Sequence, residues 1–387
     1  MLSFYYLPDL CAGSFRCNAL VKALQQVAPD LHIDLLTTQP NRYRHSKINA
    51  PAFERDGNVT IHRFSLPDHD SGMMDQARAF TAYSRQAVRV ASGEYDAIFA
   101  TSSRLMTAAL GAFLSRRIKA SLYLDIRDLF VDTMNDVFPN WLAKTSGPLI
   151  RAVERWTFQS ANRINIVSEG FEDYIKRFLP VSDLRYFTNG IDEEFMNMTI
   201  EKELHSVPDI PLIVYAGNIG EGQGLHRVIP QAARKMIGSA NFRIIGHGGR
   251  MSLLEKALVG VDNVELIQPV PRGELHKHYA EADILFLHLN DYPAFKKVLP
   301  SKVFEYAATG RPIVAGVAGY SARFIEQNVP NAAVFSPCDV AGMIAAINAI
   351  KTTPRSSDRT EFLNKYNRRN ITEAMARDIL SFCTNAS

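Results

Sequence analysis

The chain has 387 residues, which exceeds the usual size of one hydrophobic core and predicts two domains of about 170 to 200 residues. Its 47% hydrophobic and 21% charged residues describe an ordinary globular protein, and a net charge of +3 argues against bulk nucleic-acid binding. No apolar run reaches the ~18 residues of a membrane span, and Leu2 to Leu7 is too short and lacks the basic leader of a signal peptide.

The predicted elements of the first half are strands at Leu2–Leu7, Ile33–Thr37, Val59–Phe64, Ala97–Ala100, Leu122–Ile126, Ile164–Val167 and Arg185–Phe187. Helical patterns fall near 14–28, 73–92, 104–118, 146–161 and 171–178. The polar stretch Asn189 to Asp209 reads as a linker, followed by strands at Leu212–Ala216, Phe242–Ile245, Val264–Ile267, Ile284–Leu289, Ile313–Val317 and Ala332–Phe335. Between them Leu225, Val228, Ile229, Ala232, Ala233 and Met236 form one helical stripe. Alternating strands and helices predict parallel sheets with right-handed crossovers and ligands beyond the carboxyl strand ends. The boundaries drawn are 1–190, a linker at 191–210, a second domain at 211–355, and a tail at 356–387 whose helix returns to the first domain.

The most informative segment is Val298 to Ala315, where a loop enters a helix at Pro300-Ser301, Gly310 ends it, and a buried strand follows. Free N–H groups at that helix start suit a diphosphate, and Glu305 sits one turn in, where its two oxygens could accept both hydroxyls of a ribose. An ordinary connection, with Ser301 as cap and Glu305 solvated, is the competing reading.

In the first domain Gly13 and Ser14 open a helix after the first strand, where their N–H groups and the guanidinium of Arg16 could meet a phosphate. Asp125, Arg127 and Asp128 fall at the carboxyl end of a strand. Asp128 is the candidate base and Arg127 the group that orients it, against a buried structural network. No cluster of His, Cys or carboxylates has metal spacing, and Cys11, Cys17, Cys338 and Cys383 suit a reducing cytosol, so neither metal nor cofactor is expected. Arg42 to Lys47 and Phe138 to Lys144, leading to Arg151 and Arg155, suit contact with an anionic membrane face.

Ser301 to Val314 around Glu305, the loop Gly217-Asn-Ile-Gly-Glu-Gly-Gln-Gly-Leu225, the turn Ile245-Gly-His-Gly-Gly249 and Asn189-Gly-Ile-Asp192 together resemble family 4 glycosyltransferases. The likeness extends to bacterial enzymes that assemble lipid-linked surface polysaccharides such as O-antigen, capsule or exopolysaccharide, which often carry a segment similar to Leu124 to Leu129. The resemblance implies an α/β fold of the GT-B type, two Rossmann-like doubly wound domains facing each other across a cleft. It implies a retaining transferase that moves a hexosyl or N-acetylhexosaminyl group from a nucleotide-sugar, a uridine diphosphate sugar, to a hydroxyl of a lipid-linked or oligosaccharide acceptor. It also places the backbone around Gly246, His247 and Val270 near the nucleotide.

Two departures stand out. Lys297 occupies the position of a second glutamate, eight residues before Glu305, and Asn218 and Gln223 replace the arginine and lysine that face the diphosphate in relatives. The leaving diphosphate then needs other donors, namely loop amides, the amides of Ser301 and Lys302, or the charges of Lys302, Lys297 and Arg16. A sugar-nucleotide 2-epimerase on the same fold and a non-catalytic nucleotide-binding partner subunit remain alternatives, whereas one glycine in the first turn disfavours a nicotinamide dehydrogenase.

Overall fold

The computed structural model describes residues 1–9, 11–41, 50–67, 73–102, 105–137, 140–178, 184–196 and 206–384. The basic loop Arg42 to Lys47, Phe138, Pro139 and the side chains through Lys144 lie outside the described residues. The chain forms two compact units, Met1–Asn189 with Arg368–Ser387, and Gly190–Asn367.

In the first unit the order is α1 (Ala12–Val27), β1 (Ile33–Thr38), β2 (Phe53–Asp56), β3 (Val59–Phe64), α2 (Met73–Val90), β4 (Ala97–Thr101) and α3 (Leu105–Ile118). It continues through β5 (Ser121–Ile126), α4 (Phe130–Val137), α5 (Asn140–Gln159), β6 (Arg163–Ile166), α6 (Glu172–Ile175) and β7 (Leu184–Arg185). The ladders run β2-β3-β1 and β4-β5-β6-β7, and all pairs are parallel except β2 with β3.

Leu2 joins the two ladders by bridging Leu36 and Ala100. Its N–H donates to Phe99 O at 2.8 Å, while the Ser3 N–H reaches Leu36 O at 3.2 Å. The expected strand Leu2–Leu7 is therefore corrected to a single rung. Ser3 Oγ donates to Tyr5 O at 2.7 Å and turns the chain out of the sheet. Phe4, Tyr5 and Tyr6 are nonetheless all buried, so an apolar run here reports burial rather than extension. The sequence reading also missed the edge strand β2, whose side chains are mostly exposed and give no apolar signal.

The second unit contains α7 (Glu193–Met196), β8 (Leu212–Asn218), α8 (Leu225–Lys235), β9 (Asn241–His247), α9 (Met251–Ala257), β10 (Val264–Ile267), α10 (Arg272–Glu281) and β11 (Ile284–His288). After a short 3-10 turn at Pro293–Lys297 follow α11 (Lys302–Ala308), β12 (Ile313–Gly316), α12 (Tyr320–Asn328), β13 (Ala332–Phe335), α13 (Val340–Ile350) and α14 (Thr360–Lys365). Its six strands are all parallel, in the order β10-β9-β8-β11-β12-β13.

That sheet is covered on both faces, which explains its continuous apolar strands. Ile213 and Tyr215 of β8 face α8 and α13, whereas Val214 and Ala216 face the core that includes Val303, Phe304 and Phe324. All six residues of the predicted α8 stripe are at most 2% exposed. Gly310, at φ +75°, ends α11 in the left-handed conformation that glycine tolerates. Ile191 and Phe195, read from sequence as linker, are buried in the core of this unit, and Ile191 N–H donates to Tyr366 O at 2.7 Å.

The last helix, α15 (Arg368–Thr384), packs Met375, Ala376, Ile379 and Phe382 against Cys17, Leu20, Val21 and Leu24 of α1. Ile379→Ala should lower stability by about 3 kcal/mol in urea denaturation, through lost burial and the cavity left behind. A loss below about 1 kcal/mol would mean that α15 is not part of this core.

Candidate functional site

The strand order of the second unit reverses between β8 and β11, and the connections leaving their carboxyl ends diverge there. Open sheets of this kind bind ligands at that point. The loop Gly217 to Gly224 leaves β8, and its partners come from the exit of β11: Asn290 N–H donates to Gly222 O at 2.8 Å, and Asn290 Nδ2 to Glu221 O at 2.9 Å. The turn after β9 closes on the same loop. A Cβ on Gly246 would lie 1.9 Å from Gly217 O, and one on Gly248 would lie 2.6 Å from Ile219 O, so only glycine permits this approach. His247 contributes its carbonyl, which accepts from Ile219 N–H at 3.0 Å, while its side chain is exposed.

Asn218 Nδ2 donates to Gln223 Oε1 at 2.8 Å, so the two neutral residues at the expected cation positions tie the loop across itself. The charge near the loop sits instead on Glu221. Its carboxylate accepts from Tyr292 OH at 2.6 Å, Arg250 Nε at 2.5 Å and Arg227 at 3.0 Å. Burial opposes ionisation of Glu221, but these donors outweigh it and hold its pKa below the usual value.

Glu305 lies in the first turn of α11. Lys302 Nζ donates to Glu305 Oε2 at 2.7 Å and to Tyr279 OH at 3.2 Å, and Arg272 lies 4.0 Å from Glu305 Oε1. Burial disfavours the Lys302 charge, yet Glu305 more than offsets it and raises the pKa of the ammonium. Lys302 is thus held by Glu305 and Tyr279 and is not the solvated surface lysine of the competing reading. Arg272 also binds Asp192 and pairs with Glu194 at 2.6 Å, with its guanidinium 4.8 Å from the Phe195 ring centroid. The carboxylate is therefore engaged by Lys302 of α11 and by Tyr279 and Arg272 of α10, with Arg272 held in turn by Glu194 and Phe195 of α7.

α11 is itself anchored to β8, because Tyr306 OH donates to Ala216 O at 3.3 Å and accepts from Ala216 N–H at 3.0 Å. Ser301 makes no side-chain cap bond, and the helix opens instead with Val303 N–H on Pro300 O and Phe304 N–H on Ser301 O. Lys297 ends the 3-10 turn, half-buried, and Val270 packs beside the α11 core.

In the first unit α1 begins at Ala12, with Cys11 preceding it, so Gly13 and Ser14 lie in its first turn rather than ahead of it. Ser14 is fully buried and its Oγ has no hydrogen-bond partner. Arg16 corrects the sequence reading. It is 2% exposed, binds both oxygens of Asp125 at 2.9 Å, and donates to Phe187 O and Thr188 O at 2.7 Å, so it braces the fold. Asn165 Nδ2 adds a third bond to Asp125 at 2.7 Å. Burial would raise the pKa of Asp125, but the Arg16 ion pair wins and lowers it.

Beyond the end of β5, Arg127 and Asp128 are not part of that brace. Arg127 N–H donates to Ser102 Oγ at 2.9 Å, its Nε is buried without a partner, and burial lowers its pKa. Asp128 is exposed, yet surrounding protein desolvates it enough to raise its pKa to about 6, against the pull of Arg127.

The sequence reading missed Arg272, Tyr279, Glu221, His288 and Asn290. Arg272 and Asp192 are distant in sequence, and only the fold pairs them. His288 and Asn290 did leave a signal, as polar residues at the exit of an apolar run. Among the described residues no group of three or more His, Cys, Asp or Glu is placed to hold a metal, and no helix is long and apolar enough to cross a membrane.

Comparisons with known proteins agree with this architecture. Residues 14–190 match the glycosyl transferase 4-like domain, and residues 210–352 match glycosyl transferases group 1. The chain is 24% identical over 276 residues to the putative colanic acid biosynthesis glycosyl transferase WcaI of Escherichia coli K12, covering 67% of each protein. Sucrose-phosphate synthase of Thermosynechococcus elongatus superposes with a TM-score of 0.71 at 16% identity, covering 97% of this chain and 94% of that one. HepE of Anabaena, solved with UDP-glucose, gives 0.67 at 13% identity over 98% of both chains. With the two domain models spanning most of its length, each on one of its α/β units, the chain belongs to the glycosyltransferases of the GT-B fold.

Proposed function

We propose that this glycosyltransferase takes its sugar from a uridine diphosphate sugar and places it, with retention at the anomeric carbon, on a hydroxyl of a lipid-linked or oligosaccharide acceptor in surface polysaccharide synthesis. The observation that carries the donor reading is Glu305, a carboxylate pre-positioned by Lys302, Tyr279 and Arg272 on a helix anchored to β8 beside the glycine loop. In this reading its oxygens accept the ribose hydroxyls, and the β8 loop and the start of α11 receive the diphosphate through backbone N–H groups. HepE, solved with UDP-glucose on the same fold, and the colanic acid relative support the donor class and the pathway type.

The transfer breaks the bond between the anomeric carbon and the diphosphate oxygen and forms one to the acceptor oxygen on the same face. The acceptor proton passes to the leaving phosphate oxygen or to Asp128, with Arg127 fixing the charge beside it. No covalent enzyme intermediate is needed. We place the acceptor on the first domain, residues 1–190, and a peripheral contact with the cytoplasmic membrane face in the segment leading to Arg151 and Arg155, both exposed.

Thermal shift with a panel of nucleotides tests the donor site, because a ligand of the folded state raises its melting temperature by mass action. Uridine diphosphate should stabilise the wild-type protein, and Glu305→Gln should weaken its binding at least tenfold (~1.4 kcal/mol). An unchanged shift in that variant would remove the ribose role. Conversion of a nucleotide-sugar without any acceptor would point to the epimerase instead.

The pH profile tests Asp128. A base must be ionised, so with a pKa of about 6 the transfer rate should be full above that value and fall about tenfold per unit below it. Asp128→Asn should slow transfer by ~10²-fold or more and abolish this acid limb. A limb that persists in the variant would assign the titration to another group.

A further inference from the structure

The loop at the carboxyl end of β8 carries no cation of its own at Asn218 or Gln223, so its value to a diphosphate depends on the orientation of its backbone. A loop with glycine at 217, 220, 222 and 224 has no intrinsic reason to hold one shape. Something must fix it from beneath.

His288 is the last residue of β11, fully buried directly across the strand reversal from that loop. Its Nδ1 lies 2.6 Å from Gln223 O, and its Nε2 accepts the Cys338 N–H at 2.9 Å. The carbonyl can only accept and the amide can only donate, so the ring is the neutral tautomer with its proton on Nδ1. Burial favours the same form by lowering the ring pKa to about 4. Cys338 itself has φ +61° and directs Sγ to Asn290 Oδ1 at 3.2 Å, while Asn290 holds Gly222 and Glu221. The ring is flanked by Phe286 and Phe335, whose centroids are 6.0 Å away.

We propose that His288 is a positioning residue for the donor diphosphate: by fixing the Gln223 carbonyl, it sets the orientation of the β8 loop amides that receive the phosphates. This rests on the donor reading above. Gln223 O meets the imidazole, and the N–H of the same peptide, that of Gly224, donates back to Gly220 O at 3.3 Å, so His288 holds the turn Gly220 to Gly224 closed and leaves the amides of that turn in one arrangement. Rotation of that one peptide would break both bonds and release the turn that carries the preceding amides. Asn290 constrains the peptides of Glu221 and Gly222 in the same manner, so His288 and Asn290 brace successive parts of one loop.

Two substitutions test the assignment. His288→Phe keeps a ring between Phe286 and Phe335 but removes both hydrogen bonds, and His288→Asn offers an N–H near the Nδ1 position. Uridine diphosphate binding is measured by titration calorimetry, alongside donor KM and kcat and the melting temperature of each unliganded protein. We expect His288→Phe to raise the Kd for uridine diphosphate and the donor KM at least tenfold, with kcat changed less than threefold. His288→Asn should recover most of the affinity. Wild-type affinity in His288→Phe would overturn the proposal even if its melting temperature falls. Equal losses in both variants would overturn it too, since packing rather than the donated hydrogen bond would then be what matters. Failure of the wild-type protein to bind uridine diphosphate would instead sink the donor reading, and this inference with it.

Discussion

The reversal of strand order between β8 and β11 is the constraint on which the candidate donor site depends. Parallel strands place all their carboxyl ends, and the loops that leave them, at one end of the sheet, and at the reversal neighbouring loops diverge toward opposite faces. The glycine loop leaves β8 on one side, while the connection to α11 leaves β11 on the other. Hydrogen bonds from Asn290 and His288 tie the first to the root of the second. Tyr306 then fastens α11 back to Ala216 at the end of β8. The geometry of the site is therefore a property of the sheet, transmitted through a few backbone-directed bonds.

Charge is distributed in keeping with that frame. Two carboxylates, Glu221 and Glu305, each gather cations, Arg250 with Arg227 and Lys302 with Arg272. Glu221 braces the loop and pairs with Arg227 and Arg250, whose side chains stay exposed beside it. In the proposed donor reading, the neutral pair Asn218 and Gln223 leaves the diphosphate to backbone N–H groups, so the shape of the loop matters more than in a loop with its own arginine and lysine.

The first unit separates two carboxylates that are neighbours in sequence. Asp125, inside β5, is saturated by Arg16 and Asn165 and fixed as an ionised structural group. Asp128, past the strand end, has no such partners among the described residues, and desolvation raises its pKa to about 6. Environment rather than residue type makes one a fixed brace and raises the pKa of the other.

Much of this was legible in the sequence. The apolar runs, the α8 stripe and the glycine stop at Gly310 located the second sheet and its helices, because strands buried on both faces and one-sided helices leave direct periodic traces. The motif around Glu305 and the glycine loop located the candidate donor site, because helix starts and close backbone approaches demand particular residue types. Leu2 to Leu7 failed because burial and extension share one signal, and β2 escaped because an exposed edge has none. What the sequence could not decide was which charges meet. Arg16 with Asp125, Arg272 with Asp192 and Glu305, and His288 with Gln223 are joined across long stretches of chain, and only the packing of the sheets settles whether a polar side chain braces the fold or faces a ligand.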